Sequence, residues 1–202
     1  NMVSNRLYLN QGDLKFKDIT DEAKLTTAGV WRSAVFVVDI NSDGWTDIYV
    51  SATMWSDSSK RRNQLFINQG LNAQGNPTFS EEASAYGLAD TGYGMMSAFF
   101  DYDRDGDLDV YLLINQRLTG VPTNYRDKVM DGTSPNNDEL YRNNGDNTFT
   151  NVSTASGINI EGFGLGVAVS DFNSDGWPDL YISNDFLSND VLYINNAEGT
   201  FT

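Results

Sequence analysis

Oxygen-bearing side chains recur at odd positions of three nine-residue stretches: Asp39, Asn41, Asp43 and Asp47, then Asp101, Asp103, Asp105 and Asp109, then Asp171, Asn173, Asp175 and Asp179. Position 6 of each stretch is a glycine (Gly44, Gly106, Gly176), and position 7, where a backbone carbonyl would serve, is Trp45, Asp107 or Trp177. A hard cation such as Ca²⁺ takes several oxygens at once and needs the chain to turn sharply among them, so each stretch can wrap one ion. The expected cofactor is Ca²⁺, about three ions, with all of these residues as the metal set.

An Asp-Gly pair between alternating apolar residues could be only a hairpin turn. A turn does not require acidic or amide oxygens at positions 1, 3, 5 and 9, however, and the five aspartates between 101 and 109 would repel one another without a cation among them. An EF-hand is excluded by its twelfth position, which needs a bidentate Glu and is here Val50, Leu112 or Ile182. The flanks are β-formers instead: Ala34-Val-Phe-Val-Val before the first stretch and Ile48-Tyr-Val after it, with Ala98-Phe-Phe, Val110-Tyr-Leu, Val167-Ala-Val and Leu180-Tyr-Ile around the others. Each acidic loop is therefore expected to join two strands, A and B.

A second unit recurs between the loops. Leu7-Tyr8, Leu65-Phe66, Leu140-Tyr141 and Leu192-Tyr193 each precede a turn containing Asn, and then Phe16, Phe79, Phe149 or Phe201. That pattern predicts a further hairpin, strands C and D. Four-stranded units at this period point to an all-β chain of propeller blades, each sheet buried on both faces by its neighbours. Tyr49, Tyr111, Tyr181 and the recurrent Phe residues are then expected in the core between blades. The small residues Ser33, Ala34, Ser97, Ala98, Gly164 and Gly166 are expected where the A strands converge on a narrow channel.

The repeated acidic nonapeptide, with Phe163-Gly164-Leu-Gly166-Val ahead of its third copy, resembles FG-GAP or VCBS-type calcium-binding repeats. Such repeats are known from integrin α-subunit propellers and from cartilage-acidic-protein-like surface proteins with an ASPIC/UnbV tail, and this chain has no ASPIC-like segment. Residues 1–202 are read as a single partial propeller: a C-D hairpin at 5–20, blades at 29–84 and 95–154, and an incomplete blade at 164–202. Closed propellers use about 4 to 8 blades, so the strand count predicts part of a longer chain or assembly.

Composition narrows the function. With a net charge of −15 and no histidine or cysteine, the chain lacks the clustered cations that nucleic acid needs, and it has no thiol nucleophile, Zn-thiolate site or Ser-His-Asp chemistry. No apolar run approaches the ~20 residues of a membrane span. Loops of this kind suit the calcium outside cells, where modules bind with Kd of about 10⁻⁴ to 10⁻³ M. An extracellular or cell-surface position is expected, and the absence of cysteine fits a bacterial surface protein.

Two functions stay open: a calcium-stabilised scaffold for adhesion to a surface protein or glycan, and a polysaccharide-acting enzyme or enzyme-associated module. The scaffold is favoured and no enzyme is expected, because the carboxylates outside the loops (Glu81, Glu82, Glu161, Asp185) have no recognisable catalytic setting. In the integrin-like arrangement that the chain resembles, the B-C and D-A connections form the ligand rim. The long B-C connections here, Ser51 to Arg62 and Asn115 to Asn137, carry Trp55, Arg61, Arg62, Tyr125 and Arg126, which are the expected partner-binding residues.

Overall fold

The structure, a computed structural model, describes residues 5–27, 31–116, 126–185 and 188–202. The first hairpin pairs β1 (Tyr8–Asn10) with β2 (Phe16–Asp18). A four-stranded antiparallel sheet follows, with β3 (Arg32–Val38), β4 (Asp47–Ala52), β5 (Gln64–Leu71) and β6 (Pro77–Glu81) in chain order. A second sheet repeats it with β7 (Gly94–Phe100), β8 (Asp109–Ile114), β9 (Glu139–Asn143) and β10 (Phe149–Asn151). The third has β11 (Gly164–Ser170), β12 (Asp179–Asn184) and β13 (Val191–Tyr193), and its fourth strand is reduced to the bridge between Asn195 and Phe201. The chain is all-β, and its meander sheets follow one another as propeller blades do.

Register explains why the repeats superpose. In each sheet the A strand carries a bulge near its start, between Arg32 and Ala34, Gly94 and Met96, or Gly164 and Gly166, and ends by pairing with the last aspartate of the loop: Val38 with Asp47, Phe100 with Asp109, Ser170 with Asp179. Because side chains alternate between faces, a slip of one residue would turn every core residue outward, so the bulge and the loop together hold the pattern.

The faces that meet form three apolar clusters. Ile19, Ala23 and Leu25, after the first hairpin, meet Val50, Phe66 and Phe79 of the first sheet. The opposite face of that sheet, with Tyr49, Leu65 and Ile67, packs on Val110, Leu112 and Ile114 of the second. The second sheet's other face, with Tyr111, Leu113 and Leu140, packs on Leu180, Ile182 and Tyr193 of the third. Tyr49 and Tyr111 are fully buried, as expected. Tyr181 is not: it is 39% exposed, because among the described residues no sheet lies over the face of the third sheet that carries it.

The small residues serve close sheet contact. A Cβ on Gly164 would lie 2.4 Å from Leu113 Cδ1, so only glycine lets β11 approach β8. At the equivalent junction Ser51 and Ser97 share a hydrogen bond of 3.1 Å, and Ser33 donates to the Gly94 carbonyl at 2.6 Å. Further out, Gly157 takes φ +83 and leaves room for the Phe201 carbonyl, which a Cβ there would meet at 2.6 Å.

Candidate metal centres

The three acidic loops share one hydrogen-bond plan. The first aspartate accepts the N–H of positions 5 and 6: Asp39 from Asp43 (3.1 Å) and Gly44 (2.9 Å), Asp101 from Asp105 (3.1 Å) and Gly106 (3.0 Å), Asp171 from Asp175 (3.1 Å) and Gly176 (2.8 Å). Position 5 accepts the N–H of position 7, for Trp45 at 2.8 Å, Asp107 at 2.9 Å and Trp177 at 2.8 Å. Gly44, Gly106 and Gly176 sit at φ +85, +100 and +91, where a Cβ would be strained. The residue at position 4 is also left-handed: Ser42 at φ 57, Arg104 at 60 and Ser174 at 64.

The last aspartate does more than end the loop. Asp47, Asp109 and Asp179 are wholly buried, and each joins three parts of its blade. One oxygen takes the N–H of position 2 (Ile40, Tyr102 or Phe172, at 3.1, 3.0 and 2.8 Å). The other takes the N–H of an asparagine at the C-D turn (Asn68, Asn143 or Asn195, each at 2.8 Å). Those asparagines return a side-chain N–H to the carbonyl at position 8, from Asn68 to Thr46 at 3.0 Å, Asn143 to Leu108 at 3.2 Å and Asn195 to Pro178 at 3.2 Å. They are part of the site's frame, and the sequence pattern showed them only as turn formers. Their signal was the recurrence of Asn in the C-D turn after every loop.

The loops are not equal. In the second, oxygens of Asp101, Asp103 and Asp109 lie within 4.8 Å of one another, close enough to share a cation. Asp103 Oδ1 is buried and accepts no hydrogen bond. Burial, with smaller contributions from its acidic neighbours, pushes Asp109 up to about 7, and Asp103 is raised by burial and by repulsion from Asp105 and Asp101. Asp47 is raised too, by burial first. A buried, orphaned carboxylate oxygen among like charges fits a cation, which supplies the missing partner and reverses the repulsion. In the first and third loops position 3 is Asn, and its amide donates to position 5, Asn41 to Asp43 at 3.0 Å and Asn173 to Asp175 at 2.7 Å. Position 3 of those loops therefore brings an amide oxygen without a charge.

The expected partner rim divides differently. Arg61 is spent inside the fold: it donates to Thr91 O at 3.0 Å and to the carbonyls of Trp55 and Ser56, and its guanidinium lies 4.0 Å from the Tyr93 ring centroid. Arg126 is spent too, through a two-pronged contact with buried Glu161. Trp55 is half-buried beneath Lys60, 5.2 Å from its ring, and Arg62 is exposed. Tyr125 lies outside the described residues. The non-loop carboxylates also have structural partners. Glu161 accepts Val129 N at 3.0 Å and Ser134 Oγ at 2.9 Å, which anchors the long connection of the second sheet. Glu81 accepts from Leu65 N and Ala83 N, and Glu82 from Ser80 Oγ.

Compared with known protein families, residues 1–50 and 129–182 match the FG-GAP-like repeat. The matched segments contain the first and third acidic loops. A comparison with curated proteins finds no match.

Proposed function

We propose that this chain, which belongs to the FG-GAP-like repeat family, is a calcium-stabilised scaffold that presents its B-C rim to a surface protein or glycan outside the cell. The observation that carries the calcium assignment is the second loop, where three aspartate oxygens lie within 4.8 Å and Asp103 Oδ1 is buried without a donor. Asp101, Asp103, Asp105 and Asp109, with the Asp107 carbonyl, would hold the ion there, and the same positions in the other loops would hold two more. Bound Ca²⁺ supplies positive charge and cross-links positions of one loop. The chain's own part is to shape the loop beforehand, through the N–H groups donated to Asp101 and Asp109.

The extracellular position is supported by the calcium level such open loops need. The partner reading is supported by the exposure of Arg62 and by Trp31 and Met54, 59% and 60% exposed at the same end of the first sheet. Thermal melts test the metal assignment. At ~2 mM Ca²⁺ and Kd near ~0.1 mM each filled site contributes about 1.8 kcal/mol, so chelation should lower Tm by several degrees. An unchanged Tm overturns the assignment. For the rim, Arg62→Ala together with Trp31→Ala should weaken capture of surface partners while leaving Tm and calcium content unchanged, and undiminished capture would place the binding face elsewhere.

A further inference from the structure

The second and third acidic loops touch each other, and the contacts run between the parts that shape each loop. Arg104, at position 4 of the second loop, lies 5.1 Å from the ring centroid of Trp177, at position 7 of the third. Its Nη1 also comes within 3.6 Å of where a Cβ on Gly176 would be. Independently, Asn195 Nδ2 donates to the carbonyl of Tyr102, at position 2 of the second loop, at 2.8 Å. The backbone N–H of the same asparagine is bonded to Asp179, the last carboxylate of the third. Tyr102 further stacks on Phe201, centroids 6.1 Å apart, beside Asn195 in the third sheet's final bridge. The first loop differs: its position 4 is Ser42, too short to span to a neighbour, and the Trp45 ring packs against Gly70 of its own sheet.

We infer that Arg104 is a positioning residue that couples the second and third cation sites, so that filling one strengthens the other while the first loop binds alone. This rests on the calcium reading above. The physical route is short. Arg104 sits between two ligand positions, Asp103 and Asp105, so an ion in the second loop fixes its left-handed backbone and aims its guanidinium. That guanidinium holds Trp177, whose carbonyl is a ligand position of the third loop. Bare electrostatics would do the opposite, because one bound divalent ion repels the next. The sign of the coupling therefore identifies the contact.

The test uses terbium(III) as the probe, in a Trp45→Phe background where Trp177 is the indole left in the acidic loops to sensitise its emission. Titrations compare the chain that keeps Arg104 with its Arg104→Ser variant, serine being the residue of the other two loops, each with and without Asp103→Asn/Asp105→Asn to disable the second loop. The expected result is that disabling the second loop weakens the third by roughly two- to fivefold more when Arg104 is kept than in the Arg104→Ser variant, the range an exposed cation–π contact provides. Arg104→Lys should restore part of the difference. Equal effects in both backgrounds overturn the coupling and leave the metal assignment standing. Absence of sensitised emission in every variant overturns both. Equal Tm of the two chains under chelator, with Arg104 kept and with Arg104→Ser, would show that the difference is not one of folding.

Discussion

Tyr111 and Tyr181 hold the same place in the second and third sheets. Each donates its hydroxyl to the aspartate before the next strand, Asp138 at 2.8 Å and Asp190 at 2.6 Å. The other carboxylate oxygen takes the N–H that ends the B strand, Ile114 at 2.7 Å and Asn184 at 2.9 Å. What covers them differs. The third sheet buries Tyr111 and Asp138, whereas Tyr181 and Asp190 face solvent. Burial pushes Asp138 up to about 7, and Asp190 is held below the usual carboxylate range by the Tyr181 hydroxyl and the Asn184 N–H. Two equivalent sets of hydrogen bonds thus have opposite electrostatic outcomes, because desolvation outweighs them in one sheet and is minor in the other. The first sheet avoids the conflict with a neutral residue: Asn63 accepts Ala52 N and donates to Tyr49 Oη.

The largest test of this contrast is apolar. Leu140 and Leu192 lie opposite Tyr111 and Tyr181 in register, but Leu140 is fully buried and Leu192 is 47% exposed. Leu140→Ala should cost about 2–5 kcal/mol and Leu192→Ala within about 0.5 kcal/mol, read from urea unfolding at fixed calcium. Similar losses would mean that the outer face of the third sheet is covered in solution. Next comes the hydroxyl. Tyr111→Phe leaves Asp138 buried with one partner fewer and should cost about 1–3 kcal/mol. Tyr181→Phe, where water replaces the lost bond, should change the urea midpoint little.

The smallest and most diagnostic effect is pH dependence. Asp138 has a folded pKa above its unfolded value, so its contribution is full below about pH 4 and is lost as pH rises toward about 7. Relative to Asp138→Asn, the wild-type chain should therefore lose stability between about pH 4 and 7 and level off above that. Asp190 is depressed, so Asp190→Asn should reveal a contribution lost only as pH falls below the ordinary carboxylate range. Parallel stability profiles for Asp138→Asn and wild type would contradict the burial argument.

Much of the architecture was legible in the chain. The acidic nonapeptides announced the A-B hairpins because side-chain oxygens at positions 1, 3, 5 and 9 are unusual for a simple turn, and the alternation of Val, Phe and Tyr around them predicted strands that β3, β4, β7, β8, β11 and β12 occupy. The rim was less legible. Arg61 and Arg126 looked available because charge in a long connection suggests a surface, whereas their fates depend on Tyr93 and Glu161, distant in sequence. Tyr181 looked like core because its repeat context equals that of Tyr49 and Tyr111.

Sequence by itself determined the local devices: which residues turn, which alternate, and which oxygens gather within one loop, since all of these depend on neighbours a few positions apart. Tertiary structure alone decided which copies of those devices are equivalent. Packing of one sheet on the next buries Tyr111 and leaves Tyr181 exposed, and it brings Arg104 to Trp177 and Asn195 to Tyr102. The physical reason is that burial, desolvation and cross-sheet contact belong to pairs of elements. A repeat that reads the same three times along the chain therefore meets three different surroundings in the fold.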